Sequence, residues 1–571
     1  MSYVLGISCF YHDAAVCLLK DGKILACAQE ERFTREKHDD DFPVNAVNYC
    51  LSEAGIDISK VDHVGFYEKP LLKFERILES YIDYFPKSYK VFVLAISTWL
   101  RKKLWMKEVI KKELGYKRDI YFIEHHLSHA ASSFLVSPFE ESAILTVDGV
   151  GEWATATLGT GKGNDIKTLK EIHWPQSLGM FYSAFTYYLG FKVNDAEYKV
   201  MGAAPYGRPV YADLIKKELI EIKDDGSFKL NLDYFEYHYG LKMVGRKFEK
   251  LFGHPIRDSK NKMEDFHWDV AASLQEVTNE VMVKMANNLY KETGLKNICL
   301  AGGVALNCVA NSKILEQTPF ENMFIQPAAG DAGGALGVAL YIDNVILKNG
   351  RRTQFANSFL GPEFSNEEIR RFLKEKNIAF EELSNDELIK KTAELIFQQK
   401  VVGWFQGRME WGPRALGNRS ILADARNKEN WQRVNLKIKF RESFRPFAPV
   451  VLEEDAQDYF NVPKNVYGGI TPAAFMLLIA NVKKEKQQEI PAVTHVDGSA
   501  RLQTISRKQN PLYYDLIKEF KNMTGCPILI NTSFNMAGEP IVCSPEDAFN
   551  CFTKTQIDVL IMNNFLIDKN A

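Results

Sequence analysis

The chain has 571 residues, 46% of them hydrophobic and 25% charged, with a formal net charge of −2; that is the make-up of an ordinary soluble globular protein of two or three domains. The near-neutral balance excludes a global attraction to nucleic acid or to an acidic membrane surface. Nine cysteines, odd in number and never spaced Cys-x-x-Cys, exclude a disulfide framework and a zinc knuckle, and point to reduced thiols in a cytosol.

Met1-Ser2-Tyr3 runs straight into a strand at residues 4–8, so no signal peptide is expected. Residues 14–19 and 24–28 flank Asp21-Gly22, the signature of a tight hairpin, with His12-Asp13 in the link before it. The most apolar segment, 91–100, is too short to span a bilayer and is bracketed by Lys87, Lys90, Arg101 and Lys103. It reads as a buried helix or a lid over a pocket. A helix over 124–135 puts His125 and His129 one turn apart on one face, flanked by Ser128 and Ser132, with Leu127, Ala130, Ala131 and Phe134 opposite. A buried strand at 143–147 then delivers Asp148 to its end.

Two imidazoles at that spacing chelate a divalent cation, and a carboxylate beside them suits iron(II) or zinc with positions left open for a substrate oxygen. His-x-x-x-His by itself fits an ordinary amphipathic helix equally well. The protease pattern His-Glu-x-x-His is absent, because His126, Leu127 and Ser128 lie between the histidines, which disfavours a metalloprotease.

The run 143–147, Asp148-Gly149, 153–158, a turn at 159–163, and 166–172 repeats the plan of the first hairpin. Either duplicated subdomains face each other across a cleft, or these are two unrelated meanders. A strand at 297–300 breaks at Ala301-Gly302-Gly303 and leads into a helix carrying Asn307 and Asn311. A Gly-Gly turn there lets backbone approach a nucleotide. Residues 327–334 repeat the idea, with Asp331 at the start of a helix expected over 335–342. Alone, such an Asp is an N-cap; beside the His pair and Asp148 it becomes a further ligand candidate. Lys199 stands next to another expected glycine turn, between Gly202 and Gly207, suited to a phosphate.

Residues 349–352 read as a linker, and 364–376 as the amphipathic helix that opens a second domain. Between Arg408 and Arg445 stand ten Lys or Arg (408, 414, 419, 426, 428, 433, 437, 439, 441, 445) against four acids (410, 424, 429, 442). With Gly407, Gly412, Pro413 and Gly417 interleaved, an anion pocket is the natural reading, since guanidinium forks match phosphate and carboxylate. RNA binding is not favoured, because Trp411, Phe440, Phe444 and Phe447 form no evident stacking platform.

Here a resemblance enters. Lys439-Phe440-Arg441 with Ser533-Phe534-Asn535 resembles the Lys-x-Arg and Ser-x-Asn pair of the YrdC/Sua-type fold, which makes carbamoyl-type adenylates. His125, His129, Asp148, Ala301-Gly302-Gly303 and Asp331 resemble the actin-like, metal-binding TsaD fold. Both halves in this order, with Glu30-Glu31-Arg32-Phe33, residues 407–417 and residues 444–449, are similar to the O-carbamoyltransferases of the NodU/CmcH family over nearly the whole chain.

That resemblance implies an α/β protein: an actin-like (ASKHA) duplicated N-terminal domain over residues 1–350 and a YrdC-like α/β domain over 351–571. It implies that the second domain makes a carbamoyl adenylate from ATP and carbamoyl phosphate, with Arg414, Arg445, Arg501, Asn531, Ser533 and Asn535 holding the carbamoyl and phosphate groups and Lys439 and Arg441 close by. The adenylate would then reach a divalent metal, iron(II) or zinc, on His125, His129, Asp148 and Asp331. His12 would take the proton of the acceptor hydroxyl, Gly302, Gly303 and Asn307 would match the nucleotide loop, and Mg(II) would accompany ATP.

The expected partners are small molecules, with a sugar-like hydroxyl acceptor whose pocket and lid come from 68–120 and 208–268. Tyr67, Tyr81, Tyr84 and Tyr89 are candidates for stacking on it, or for core. No membrane partner is expected, nucleic acid is disfavoured, and a homodimer is left open. The alternatives are a tRNA threonylcarbamoyl-type transferase, a non-catalytic nucleotide-sensing actin-like scaffold, or a sugar kinase of the same superfold.

Overall fold

The computed structural model describes residues 2–569 except 102, 440, 441, 443, 446 and 463–470. The chain packs as two compact units, Met1–Ala26 with Asp40–Gln354, and Cys27–Asp39 with Phe355–Ala571.

The first unit is built on two five-stranded sheets. One joins β1 (Tyr3–Ser8), β2 (Ala15–Lys20), β3 (Lys23–Gln29), β4 (His63–Phe66) and β5 (Ile120–Phe122) in the order β3-β2-β1-β4-β5. The other joins β6 (Glu141–Val147), β7 (Ala154–Lys162), β8 (Asp165–His173), β9 (Asn297–Ala301) and β10 (Asn322–Phe324) in the order β8-β7-β6-β9-β10. β1 pairs antiparallel with β2 and parallel with β4, and β6 pairs antiparallel with β7 and parallel with β9. The repeated plan is therefore a true duplication of one topology, which is the actin-like architecture. Asp21 and Gly22 turn the first hairpin at φ 49° and 76°.

The second hairpin differs from expectation. Gly159 and Gly161 lie inside β7, and the chain turns at Gly163, φ 57°. Their reason is close approach: a Cβ on Gly159 would stand 2.5 Å from the Lys167 carbonyl oxygen, and one on Gly161 2.5 Å from the Phe134 ring. Gly207 follows the same rule. The segment read as a glycine turn beside Lys199 is a helix, Glu197–Ala203, and a Cβ on Gly207 would meet the Trp268 backbone at 2.1 Å.

Among the helices that precede the one carrying His125 and His129 are α1 (Pro70–Asp83) and α2 (Tyr89–Arg101). They pack through Tyr81 against Phe92 and Phe74 against Trp99. The expected buried segment thus buries one face only, and Val93 and Leu94 are 49% and 61% exposed. Then come α3 (His125–Phe134), α4 (Asp265–Thr293), α5 (Cys308–Gln317) and α6 (Asp331–Leu340). All of α6, Asp-Ala-Gly-Gly-Ala-Leu-Gly-Val-Ala-Leu, is buried. Small residues let it lie against α3: a Cβ on Gly337 would stand 1.8 Å from the Ser128 carbonyl oxygen.

Residues 349–352 are not a loose linker. The Arg351 guanidinium donates to the carbonyls of Phe134, Leu135, Ser137 and Phe139, closing the C-terminal end of α3.

The second unit holds a ten-stranded mixed sheet of β11 (Glu381–Glu382), β12 (Val402–Phe405), β13 (Arg419–Asp424), β14 (Ala448–Leu452), β15 (Phe460–Asn461), β16 (Leu478–Val482), β17 (Ser499–Ile505), β18 (Ile528–Ser533), β19 (Val559–Met562) and β20 (Phe565–Asp568). Their order is β11-β20-β19-β12-β13-β18-β14-β17-β16-β15. Cys27–Asp39 belongs to this unit: Arg32 donates to the Gly412 carbonyl at 2.9 Å, Arg35 donates to those of Pro540 and Ile541, and Phe33 packs on Met409, Ala415, Ile541 and Cys543. All nine cysteines are buried, and none is in a disulfide. Among the described residues, no helix is long and apolar enough to cross a membrane.

The α3–α6 contact yields a test. Gly337→Ala forces the two helices apart, and an overpacked core site of this kind costs about 3 kcal/mol. Urea unfolding of the variant should show that loss.

Candidate functional site

α3 begins at His125, whose backbone N–H donates to both oxygens of the Glu152 carboxylate at 3.1 Å. An anion at a helix N-terminus is favoured by the macrodipole. Glu152 is almost wholly buried, and burial pushes its carboxyl up from the usual range. With Glu152 at one end and Arg351 at the other, α3 holds both histidines on the face toward β6 and α6.

There the four expected ligands converge. His125 Nε2 lies 3.0 Å from Asp148 Oδ2 and 3.0 Å from His129 Nε2. Asp331 Oδ1 is 3.7 Å from each of those nitrogens. All four ligand atoms lie within 4.8 Å of one another, and all four residues are buried. Asp331 sits in the first turn of α6, earlier than the expected 335–342 helix, so its carboxylate is fixed by the helix itself.

The donor set fits a divalent cation. Buried Asp331 Oδ2 has no hydrogen-bond partner, and two imidazole nitrogens and two carboxylate oxygens lie within 4.8 Å of one another, a donor set that suits iron(II) or zinc. Burial draws the His129 imidazole down, but hydrogen bonds and charge from Asp148 and Asp331 more than offset this and raise it to about 9. Burial also opposes ionisation of Asp148, yet its contacts with His125 and His129 hold it well below the usual carboxylate range. His126, the third histidine, is no part of the set. Its Nδ1 is engaged by Thr146 Oγ1 at 2.7 Å, and burial with His125 and His129 nearby keeps it neutral.

The glycine turn serves this set directly. Gly303 N–H donates to Asp148 Oδ1 at 2.7 Å, and Gly302, at φ 91°, comes so close that a Cβ would meet the Val147 carbonyl oxygen at 2.3 Å. Asn307 caps α5 through Ala310 N–H at 3.1 Å and exchanges hydrogen bonds with Gln275. Asn311 donates to the Ala305 carbonyl at 2.8 Å.

His12 Nδ1 faces Asp13 Oδ2 at 3.1 Å, and its Nε2 meets the Asn194 carbonyl oxygen. Burial lowers the imidazole, but Asp13 beside it and Asp331 farther off raise it to about 10. Tyr11 is linked electrostatically to Asp331 and Asp148 on one side and to Arg76 and Glu68 on the other; burial foremost, then those carboxylates, keep its phenol neutral. Of the candidate stacking tyrosines, Tyr67 is core, 1% exposed and 5.3 Å from the His125 ring. Tyr81 packs on Phe92, Tyr84 meets His238 at 4.3 Å, and Tyr89 is 59% exposed.

In the second unit, Lys439, 2% exposed, donates to Ser533 Oγ at 3.1 Å, to Asn535 Oδ1 at 2.5 Å and O at 3.0 Å, and to the Ser533 carbonyl. Ser533 Oγ in turn donates to Asn535 Oδ1 at 2.7 Å. Asn531, paired across the sheet with Leu422 and Ala448, donates to the Ala415 carbonyl beside Arg414 and to Gln503 Oε1. Arg501 shares its face of β17 with Gln503, two residues along. Arg445 is 3.9 Å from Glu442, and Arg441 lies outside the described residues.

Two supports were not foreseen. Glu410 Oε1 accepts the N–H groups of Leu416, Asn418 and Arg419. Arg419, fully buried, stacks 3.7 Å over Phe405 and donates to the carbonyls of Gln406, Gly407, Asn418 and Pro362. Together they fold the glycine-rich 407–418 loop.

One chain thus carries an actin-like unit with a buried two-histidine, two-carboxylate cluster and an α/β unit with a buried lysine-centred polar cluster. The sequence profile of carbamoyltransferase N-termini matches residues 3–340, and that of carbamoyltransferase C-termini matches 393–569. The chain belongs to the carbamoyltransferase family and is a carbamoyltransferase.

An uncharacterized protein of Synechocystis is 49% identical over 100% of this chain and 97% of its own length. Nodulation protein NolNO of Sinorhizobium fredii is 38% identical over 98% of this chain and 80% of its own. Nodulation protein U of Rhizobium tropici is 26% identical over 95% and 92%. Among solved structures, a ROK hexokinase from Thermus thermophilus aligns with 61% of this chain and 100% of its own at 14% identity and a TM-score of 0.30.

The site predicts a pH dependence. Below about pH 9 the cation must displace the proton that His129 holds, so affinity should rise about tenfold per pH unit from pH 6.5 to 8.5 and flatten near 9. Chelator-buffered zinc titrations across that range check it.

Proposed function

We propose that the protein is an ATP-dependent O-carbamoyltransferase with a hydroxyl acceptor. The observation that carries this reading is the Lys439–Ser533–Asn535 cluster, a buried ammonium ringed by oxygen atoms in a carbamoyltransferase C-terminal region.

In this reading water releases carbamate and phosphate from carbamoyl phosphate. A carbamate oxygen then attacks the α-phosphorus of ATP, pyrophosphate leaves, and a carbamoyl adenylate forms. Lys439 and the arginines 414, 445 and 501 offset the negative charge that gathers on the phosphate oxygens as that bond forms. Ser533, Asn531 and Asn535 orient the planar carbamoyl group through its N–H and C=O edges.

The second step belongs to the N-terminal unit. The acceptor hydroxyl attacks the carbamoyl carbon, AMP leaves with the bonding electron pair, and the hydroxyl proton passes to a base. His125, His129, Asp148 and Asp331 would hold a divalent metal, iron(II) or zinc, which when bound supplies Lewis acidity toward a phosphate oxygen. His12 is the candidate base. Its two nitrogens face a carboxylate and a carbonyl, so it rests as an imidazolium and acts after yielding a proton. A tRNA-directed variant of the same chemistry draws no support from a chain with net charge −2.

Pyrophosphate release from ATP without any acceptor tests the first step. Slow turnover should depend strictly on carbamoyl phosphate and fall by about two orders of magnitude in Lys439→Ala. ATP left intact under all conditions sinks the reading.

A further inference from the structure

In the second unit the side-chain amide of Asn531 is held from one end only, by groups that leave it a single orientation. Asn531 and Gln503, each 1% exposed, stand on β18 and β17, with β14 between those strands in the sheet. Ala415 and Leu416, in the loop that Glu410 folds, present backbone carbonyls to the pair. A carbonyl oxygen can only accept, and this decides how both amides point. Gln503 Nε2 donates to the Leu416 carbonyl at 3.0 Å, which turns Gln503 Oε1 toward Asn531. Asn531 Nδ2 then donates to that oxygen at 2.5 Å and to the Ala415 carbonyl at 3.2 Å. Turned the other way, the Asn531 amide would set its own oxygen against two others.

What this arrangement leaves over is Asn531 Oδ1, a buried acceptor with no hydrogen-bond partner. Asn531 shares its face of β18 with Ser533, two residues along, whose Oγ meets Lys439. A bare oxygen beside that cluster calls for a donor and repels another oxygen. The –NH2 of a carbamoyl group is such a donor. A methyl group in its place has nearly the same size and nothing to donate, and a carboxylate or phosphate oxygen would meet Oδ1 as one acceptor against another. Both polar atoms of Gln503 are engaged within the protein, Nε2 by Leu416 and Oε1 by Asn531. Gln503 therefore acts through Asn531 and not on a ligand.

We propose that Gln503 is a positioning residue that sets specificity for the carbamoyl donor: by holding the Asn531 amide it turns Oδ1, and not Nδ2, toward the donor, so that –NH2 is admitted and the isosteric –CH3 rejected. The proposal deepens the first step of the reading above and rests on it for its role. The selectivity is a property of binding and is measured apart from that step.

The experiment is isothermal calorimetry on the full chain with two stable phosphonates, phosphonoacetamide and acetonylphosphonate, each with and without ATP. They mimic carbamoyl phosphate and acetyl phosphate, share charge and shape, and differ only in –NH2 against –CH3. Neither can release carbamate, so no adenylate forms, and a failure of adenylate formation leaves this result standing. The natural sequence should bind the amide about thirtyfold more tightly than the ketone, since the ketone leaves Asn531 Oδ1 unpaired. Gln503→Met keeps the length of the side chain and removes both amide atoms. It should weaken the amide about tenfold and leave the ketone nearly unchanged, so that the ratio falls to about threefold. Gln503→Glu still accepts from Asn531 Nδ2 and should keep most of the ratio. A merely structural role for Gln503 would weaken both ligands together. A natural sequence that binds the ketone as tightly as the amide, or binds neither, overturns the proposal whatever the variants do, and so does a Gln503→Met variant with the natural ratio.

Discussion

The first unit depends on the approach of two helices. Where α3 crosses α6, Gly337 brings the backbones so close that one extra carbon would lie 1.8 Å from the Ser128 carbonyl oxygen. Only that closeness sets Asp331, in the first turn of α6, against histidines projecting from α3. The other anchors serve the same end: Glu152 and Arg351 close the two ends of α3, while Gly303 holds one oxygen of Asp148 so that the other faces the histidines. Burying two carboxylates and two imidazoles is expensive unless their charges are met. The arrangement meets them with a proton on His129 or with a cation, and the competition between the two sets the expected pH dependence.

The second unit solves a similar problem in another way. Lys439 is buried at the price of surrounding its ammonium with Ser533 and Asn535, and these lie at the end of β18, which central pairing to β13 and β14 keeps rigid. The glycine-rich loop that precedes this cluster has no helix or strand of its own beyond a single bridge from Glu410 to Phe359. Glu410 and Arg419 supply its internal hydrogen bonds. Several arginines of this region are thus committed to the fold, Arg419 to the loop, Arg426 to Asp424 and Arg433 to Asp558, a use invisible in a count of basic residues.

Much of the plan was legible in the sequence because it rests on short-range periodicity. The Asp21-Gly22 hairpin, the helical His125–His129 pair and the strand ending at Asp148 each follow from patterns a few residues long. The repeated sheet was legible for the same reason, and the strand order turned a suggestion of duplication into an identity of topology. Glycine was the main source of misreading. Gly159, Gly161 and Gly207 read as turn formers in the sequence, yet they permit contacts with residues distant in the chain or in the next strand. Arg351 looked like part of a linker because its four carbonyl partners lie over two hundred residues away. Arg76 and His238 carried no signal at all. A single arginine on an amphipathic helix and a single histidine in a loop mean nothing until folding shows Arg76 Nε and His238 Nδ1 buried without a hydrogen-bond partner.

The central claim is that His125, His129, Asp148 and Asp331 act together as one cation site. The most direct measurement is the metal content of protein purified without chelators, by inductively coupled plasma mass spectrometry, for the natural sequence and for His129→Ala. The account predicts close to one equivalent of iron or zinc per chain, lost in the variant while its far-ultraviolet circular dichroism is unchanged. A natural protein that binds no divalent metal even when iron(II) or zinc is supplied, or a variant that keeps a full equivalent, would contradict it.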